Sequence, residues 1–136
     1  MKDTELTRQQ GLALYDEYKK GLEQGLFTSL RNAADYVRKQ PAPRYYISEK
    51  RASVLIGMIQ SNTSLVNLGH NLRRMVWQLF RDYKQYKAEN PDCKLSRERI
   101  LELLVERPAP EYYLSAVAVR HILSDVMKRE KLERGW

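Results

Sequence analysis

Apolar residues along this chain recur at steps of three and four, the spacing of one helix face, and no segment alternates in the manner of a half-buried strand. Leu12, Leu14, Tyr15, Tyr18 and Leu22 form one such stripe. Leu65, Leu68, Leu72, Met75, Val76, Leu79, Phe80, Tyr83 and Tyr86 form a longer one that ends before Pro91. Two shorter stripes each follow a hydroxyl residue suited to N-capping. Leu30, Ala33, Ala34 and Val37 come after Thr28 and Ser29, and Ile100, Leu101, Leu104 and Val105 come after Ser96. Each short helix is stopped by proline, because the residue before a proline (Gln40, Arg107) is pushed out of the α region. The pattern predicts an all-α fold.

The same stretch of chain occurs twice. PAPRYYIS at 41–48 returns as PAPEYYLS at 108–115, 67 residues later, with Arg44 against Glu111 the one change of character. At the same offset Ser29 matches Ser96, Val37 matches Leu104, Leu55 matches Ile122 and Ile56 matches Leu123. An offset of 65 aligns LYDEYK (14–19) with LFRDYK (79–84). The two-residue difference falls in segments containing Gly and Pro, where a loop absorbs it. We read two tandem three-helix units packed into one compact helical domain. The first is 1–64, closing on the polar joint SNTS; the second is 65–136, with a C-terminal helical tail. In each, Pro-Ala-Pro forms a stiff elbow, since both rings fix φ and neither nitrogen donates. The third helix of each unit starts either at Ser48 and Ser115, as N-caps, or at Pro43 and Pro110, in the first turn.

Composition narrows the class of function. The chain has 136 residues, 24 Lys and Arg against 17 Asp and Glu, and a net charge of +7, which favours a polyanionic partner. No apolar run is long enough to span a bilayer and the N-terminus lacks a signal-peptide core, so a cytoplasmic protein with no membrane role is expected. Cys93 stands alone, so no internal disulfide forms.

Catalysis finds no support. His70 and His121 fall at non-equivalent positions of the two units, and Cys93 has no base that the sequence places beside it. One cysteine and two distant histidines make no metal site, and Gly21 and Gly25 do not follow a strand as a phosphate cradle would. We expect no enzyme, metal or cofactor.

Two short helices flanking a turn, the second opening with polar residues, resemble the general plan of helix-turn-helix domains over 28–60 and, less closely, 95–127. The turn here is longer and richer in proline. The resemblance implies a helix presented to the major groove of double-stranded DNA. Around the first elbow, Arg38, Lys39, Arg44, Ser48, Lys50 and Arg51 are candidate nucleic-acid contacts. The second elbow has Glu111 and is followed by Ala116, Val117, Ala118 and Val119, which cannot read bases. A second basic face runs along the long middle helix through Arg73, Arg74, Arg81 and Lys84, with Trp77 among them. Tyr45, Tyr46, Tyr112 and Tyr113 recur at matching positions although the surrounding charge differs, which favours packing over base stacking. The tail at 127–136 reads as a solvated helix end.

These features point to a non-enzymatic nucleic-acid-binding protein, with DNA as the expected partner and a homodimer as a possible state. The alternative is a helical scaffold that binds another protein through exposed apolar surface.

Overall fold

The computed structural model describes residues 3–133, which form six helices: α1 (Asp3–Glu23), α2 (Leu30–Arg38), α3 (Glu49–Gln60), α4 (His70–Glu89), α5 (Arg97–Val105) and α6 (Ala116–Glu133). The class is all-α, as the periodicity predicts. Ser29, Ser48 and Ser96 cap α2, α3 and α5, each hydroxyl oxygen accepting a backbone N–H three residues on. Ser115 does the same for α6 through Ala118 N at 3.1 Å. The third helices therefore start at the serines and not at the prolines.

The long middle helix starts later than its apolar stripe. Leu65 is buried, but it lies in a loop before His70. Ser64 accepts the Val66 N–H in a local turn, which competes with helix extension. Trp136, at the end of the tail, lies outside the described residues.

The packing does not follow the order of the chain. α1, α2 and α6 pack together, and α3, α4 and α5 pack together. Among the described residues, α2 and α3 do not touch, and neither do α5 and α6. The third helix of each unit is thus lodged against the first two helices of the other. A helix-turn-helix needs the two helices flanking its turn to brace one another. Here the elbow carries them apart, so that pairing is not formed within either unit.

The elbow sequence explains the exchange. Pro41 and Pro43 have no N–H, so Ala42 supplies the sole backbone donor of the Pro-Ala-Pro stretch. Ala42 N donates to Ala109 O, and Ala109 N to Ala42 O, both at 2.9 Å. Flanking bonds repeat the relation: Tyr45 N donates to Val105 O at 2.8 Å, and its equivalent Tyr112 N donates to Arg38 O at 3.3 Å. Tyr45 stacks on Tyr113 and Tyr46 on Tyr112, with centroids 6.2 and 6.0 Å apart. Equivalent residues thus meet across a local two-fold relation through the crossed elbows. The core keeps the same relation, with Leu14 and Leu79, and Ile56 and Leu123, all fully buried.

Candidate nucleic-acid interface

α4 presents His70, Arg73, Arg74, Trp77, Gln78 and Arg81 at helical spacing, and these line one side of a cavity of about 450 Å³. Tyr113, from the second elbow, also lines it. A neighbouring cavity of about 370 Å³, lined by Ile59, Leu65, Val66 and the polar loop between them, shares Arg73 and Trp77. Trp77 is therefore the wall between a cationic hollow and a partly apolar one. It is 45 % exposed and meets Phe80 edge-on.

The three arginines of the cavity are held differently. Arg74 makes a two-pronged pair with Glu111, Nη1 to Oε1 at 2.8 Å and Nη2 to Oε2 at 2.7 Å, and lies over the Tyr113 ring. The bonds from Arg74 hold the Glu111 carboxyl below its ordinary range and raise the guanidinium in turn. Arg81 Nη1 donates to Gln78 Oε1 at 3.0 Å, and Gln78 Nε2 donates to Asp82 Oδ1 at 3.0 Å. The Tyr45 hydroxyl completes this chain by donating to Asp82 Oδ2 at 2.8 Å. Burial first, and then the Asp82 bond, push the Tyr45 phenol far above its ordinary value. Asp82 is thereby engaged from the core side. Arg73 Nε is buried with no hydrogen-bond partner, an unfavourable state for a cationic donor.

Tyr113 has φ of +56°, in the left-handed region that a bulky side chain seldom enters. Its equivalent, Tyr46, is not in that region. A backbone of this kind costs on the order of 1–3 kcal/mol and concentrates at binding and catalytic sites.

The two-fold frame supplies an internal comparison. The positions on α1 equivalent to His70, Arg73, Arg74, Trp77, Gln78 and Arg81 are Glu5, Arg8, Gln9, Leu12, Ala13 and Asp16. The fold is shared down to details: Lys19 sits over Tyr15 as Lys84 sits over Phe80, both at 4.7 Å. Yet the α1 face is of mixed charge and has no indole. The scaffold does not require a cationic cluster at this place, and one half of the molecule carries it.

The remaining sequence candidates are dispersed. Arg38 and Lys39 both pair with Asp35, at 2.9 and 3.2 Å, and Arg38 adds to the field that holds Glu111. Arg44 Nε donates to Tyr45 O at 3.0 Å, and Ser48 is occupied as an N-cap. Lys50 and Arg51 are exposed on the first turn of α3, away from the residues that line the cavity. Lys84 lies one turn beyond it along α4. Of the ten candidates, Arg73, Arg74 and Arg81 are brought together around Trp77. Sequence reasoning missed His70, Gln78 and Tyr113 as lining. His70 and Gln78 sit at helical steps from Arg74, a signal that was available; Tyr113 arrives through the elbow crossing, which leaves no local trace.

Among the described residues, no group of three or more His, Cys, Asp or Glu side chains is placed to hold a metal ion. No helix is long and apolar enough to cross a membrane. Comparison with protein-family models, curated proteins and solved structures finds no match to this chain.

Proposed function

We propose that this protein is a non-enzymatic nucleic-acid-binding protein whose contact surface is the basic face of α4. The observation that carries the reading is the gathering of Arg73 and Arg81, with the Glu111-paired Arg74 beside them, around a half-exposed Trp77 on α4. Arginine is suited to phosphate because its planar fork donates in pairs and stays charged. Clustered arginines release counterions from a polyanion, so the binding is salt-dependent. The first elbow is a secondary contact at most, since Arg38 and Lys39 are already shared with Asp35. The preference for double-stranded DNA drawn from the helix-turn-helix plan loses its basis, because α2 and α3 do not pack on one another.

Fluorescence anisotropy of labelled DNA at two salt concentrations tests the reading. Binding that falls steeply with salt, and that Arg81→Asp (the residue of the equivalent position 16) weakens more than the Lys50→Glu, Arg51→Glu pair does, supports it. No binding at low salt overturns it.

A scaffold that docks another protein is the second reading. It is favoured by Tyr36 and Leu103, equivalent positions on α2 and α5 that both expose large apolar side chains. In that case binding is insensitive to salt and is lost in a Tyr36→Ser, Leu103→Ser variant.

A further inference from the structure

We infer that the α4 cavity holds one unpaired nucleotide of a single strand, with its base laid on Trp77 and its phosphate at Arg73 and Arg81. This rests on the nucleic-acid reading and makes it more specific. Three observations on the same few residues carry it.

The first is the position of the indole. Trp77 lies between the two cavities, nearly half exposed, with a cationic wall on one side and Ile59, Leu65 and Val66 on the other. A duplex backbone presents only phosphate and sugar, and it has no use for an exposed aromatic face. An unstacked base does, because stacking on an aromatic ring is available to every base. The hollow is open to solvent, and its volume of about 450 Å³ falls within the range of small-molecule sites.

The second is the distribution of charge. Arg74 is already engaged by Glu111, so it shapes the wall and adds little free charge. Arg73 lines both cavities, and its Nε is buried without a partner. Among the described residues, Arg81 donates to the neutral Gln78 and to no carboxylate. These two guanidinium groups, on residues four before and four after Trp77 along α4, are the ones incoming phosphate can neutralise. A phosphate docked there meets the outer part of the Arg73 guanidinium, since Nε itself is closed to solvent.

The third is the two-fold frame. The groove between α1 and α6, whose Val126, Arg129 and Glu130 match Ile59, Asn62 and Thr63 of the smaller α4 cavity, keeps an arginine, Arg8, at the place of Arg73. It has Leu12 in place of Trp77 and Asp16 in place of Arg81. At these two α1 positions the indole and the arginine are both missing, and the other cations of that groove, Lys19 and Arg129, stand among the carboxylates Asp16 and Glu130. Packing alone does not ask for that pairing, since the α1 groove has the same helix geometry without it.

The test uses the whole 136-residue chain in a Trp136→Phe background, so that its tryptophan emission reports Trp77 alone. Three labelled probes are compared at low salt: an oligothymidylate, an abasic oligomer with the same number of phosphates, and a mixed-sequence duplex of the same length. The expected result is that the oligothymidylate quenches Trp77 and binds more tightly than either of the others. Trp77→Leu, which installs the residue already accepted at position 12, then weakens oligothymidylate binding about tenfold. It leaves the abasic oligomer and the duplex unchanged, and the helical circular dichroism signal establishes that the variant is folded. Equal affinity for oligothymidylate and abasic oligomer, or tighter binding of the duplex, overturns the single-nucleotide site while leaving nucleic-acid binding in place. Absence of binding to all three overturns both.

Discussion

Ala42 and Ala109 hold each other by two backbone hydrogen bonds of equal length, 2.9 Å in each direction. They are the same residue of the two repeated units, and each is almost completely buried. The chain crosses itself at this point. Every consequence of the exchange follows from it: α3 is carried onto α4 and α5, α6 is carried onto α1 and α2, and Tyr113 is carried to the edge of a cavity built on α4.

Because each three-helix bundle draws on both units, neither 1–64 nor 65–136 can complete a core alone. Each fragment is expected to show little helix as a monomer, and an equimolar mixture to recover the helical circular dichroism of the whole chain. Full helicity of either fragment in its monomeric form, checked by size-exclusion chromatography, would contradict the exchanged packing.

Ser48 and Ser115 perform equivalent caps after the two elbows. Replacing either by Ala is expected to cost about 1 kcal/mol in urea unfolding. The two losses should add, since the serines start helices in different bundles.

The Tyr45 hydroxyl is a donor to a carboxylate at the base of the basic face. Tyr45→Phe keeps the ring stack on Tyr113 and removes that donor, with an expected loss of about 1.5–3 kcal/mol. Tyr45 and Tyr112 are both held in the neutral form, chiefly by burial, with their titration raised above the ordinary value of 10.0. A raised phenol contributes stability that is fully present below pH 10 and declines as pH rises beyond it. Thermal melts from pH 8 upward should therefore be flat to about pH 10 and then fall. The fall should be smaller in Tyr45→Phe, which has one fewer such group.

Glu111 spends the charge of Arg74. Glu111→Gln should cost about 1 kcal/mol or less, because the pair is partly exposed. It should also release Arg74 to meet phosphate, so that DNA affinity rises and the plot of log K against log salt steepens by about one. Unchanged affinity and slope would place Arg74 outside the contact surface. In acid the wild-type pair behaves in the opposite sense to the phenols. The lowered Glu111 titration contributes stability above the ordinary value of 4.5, and this is lost as pH falls below it.

The sequence by itself determined the helices, their serine caps and the proline elbows, because each of these depends on a few neighbouring residues. A 3.6-residue apolar period, a hydroxyl before a stripe and a ring that fixes φ act within one turn of chain. The basic face of α4 was legible for the same reason, since Arg73, Arg74, Trp77 and Arg81 share one helix. Which helices pack together was decided only in the tertiary structure. Both possible partners of α3 offer similar apolar stripes, and period alone does not distinguish packing within a unit from packing between units. The choice falls to the elbows, where Ala42 has a single donor to satisfy and finds its acceptor 67 residues away. The same crossing disperses the first-elbow cations, gives Glu111 to Arg74 and brings Tyr113 to Trp77's side of α4. Those contacts join residues that are remote in the chain, and no local pattern encodes them.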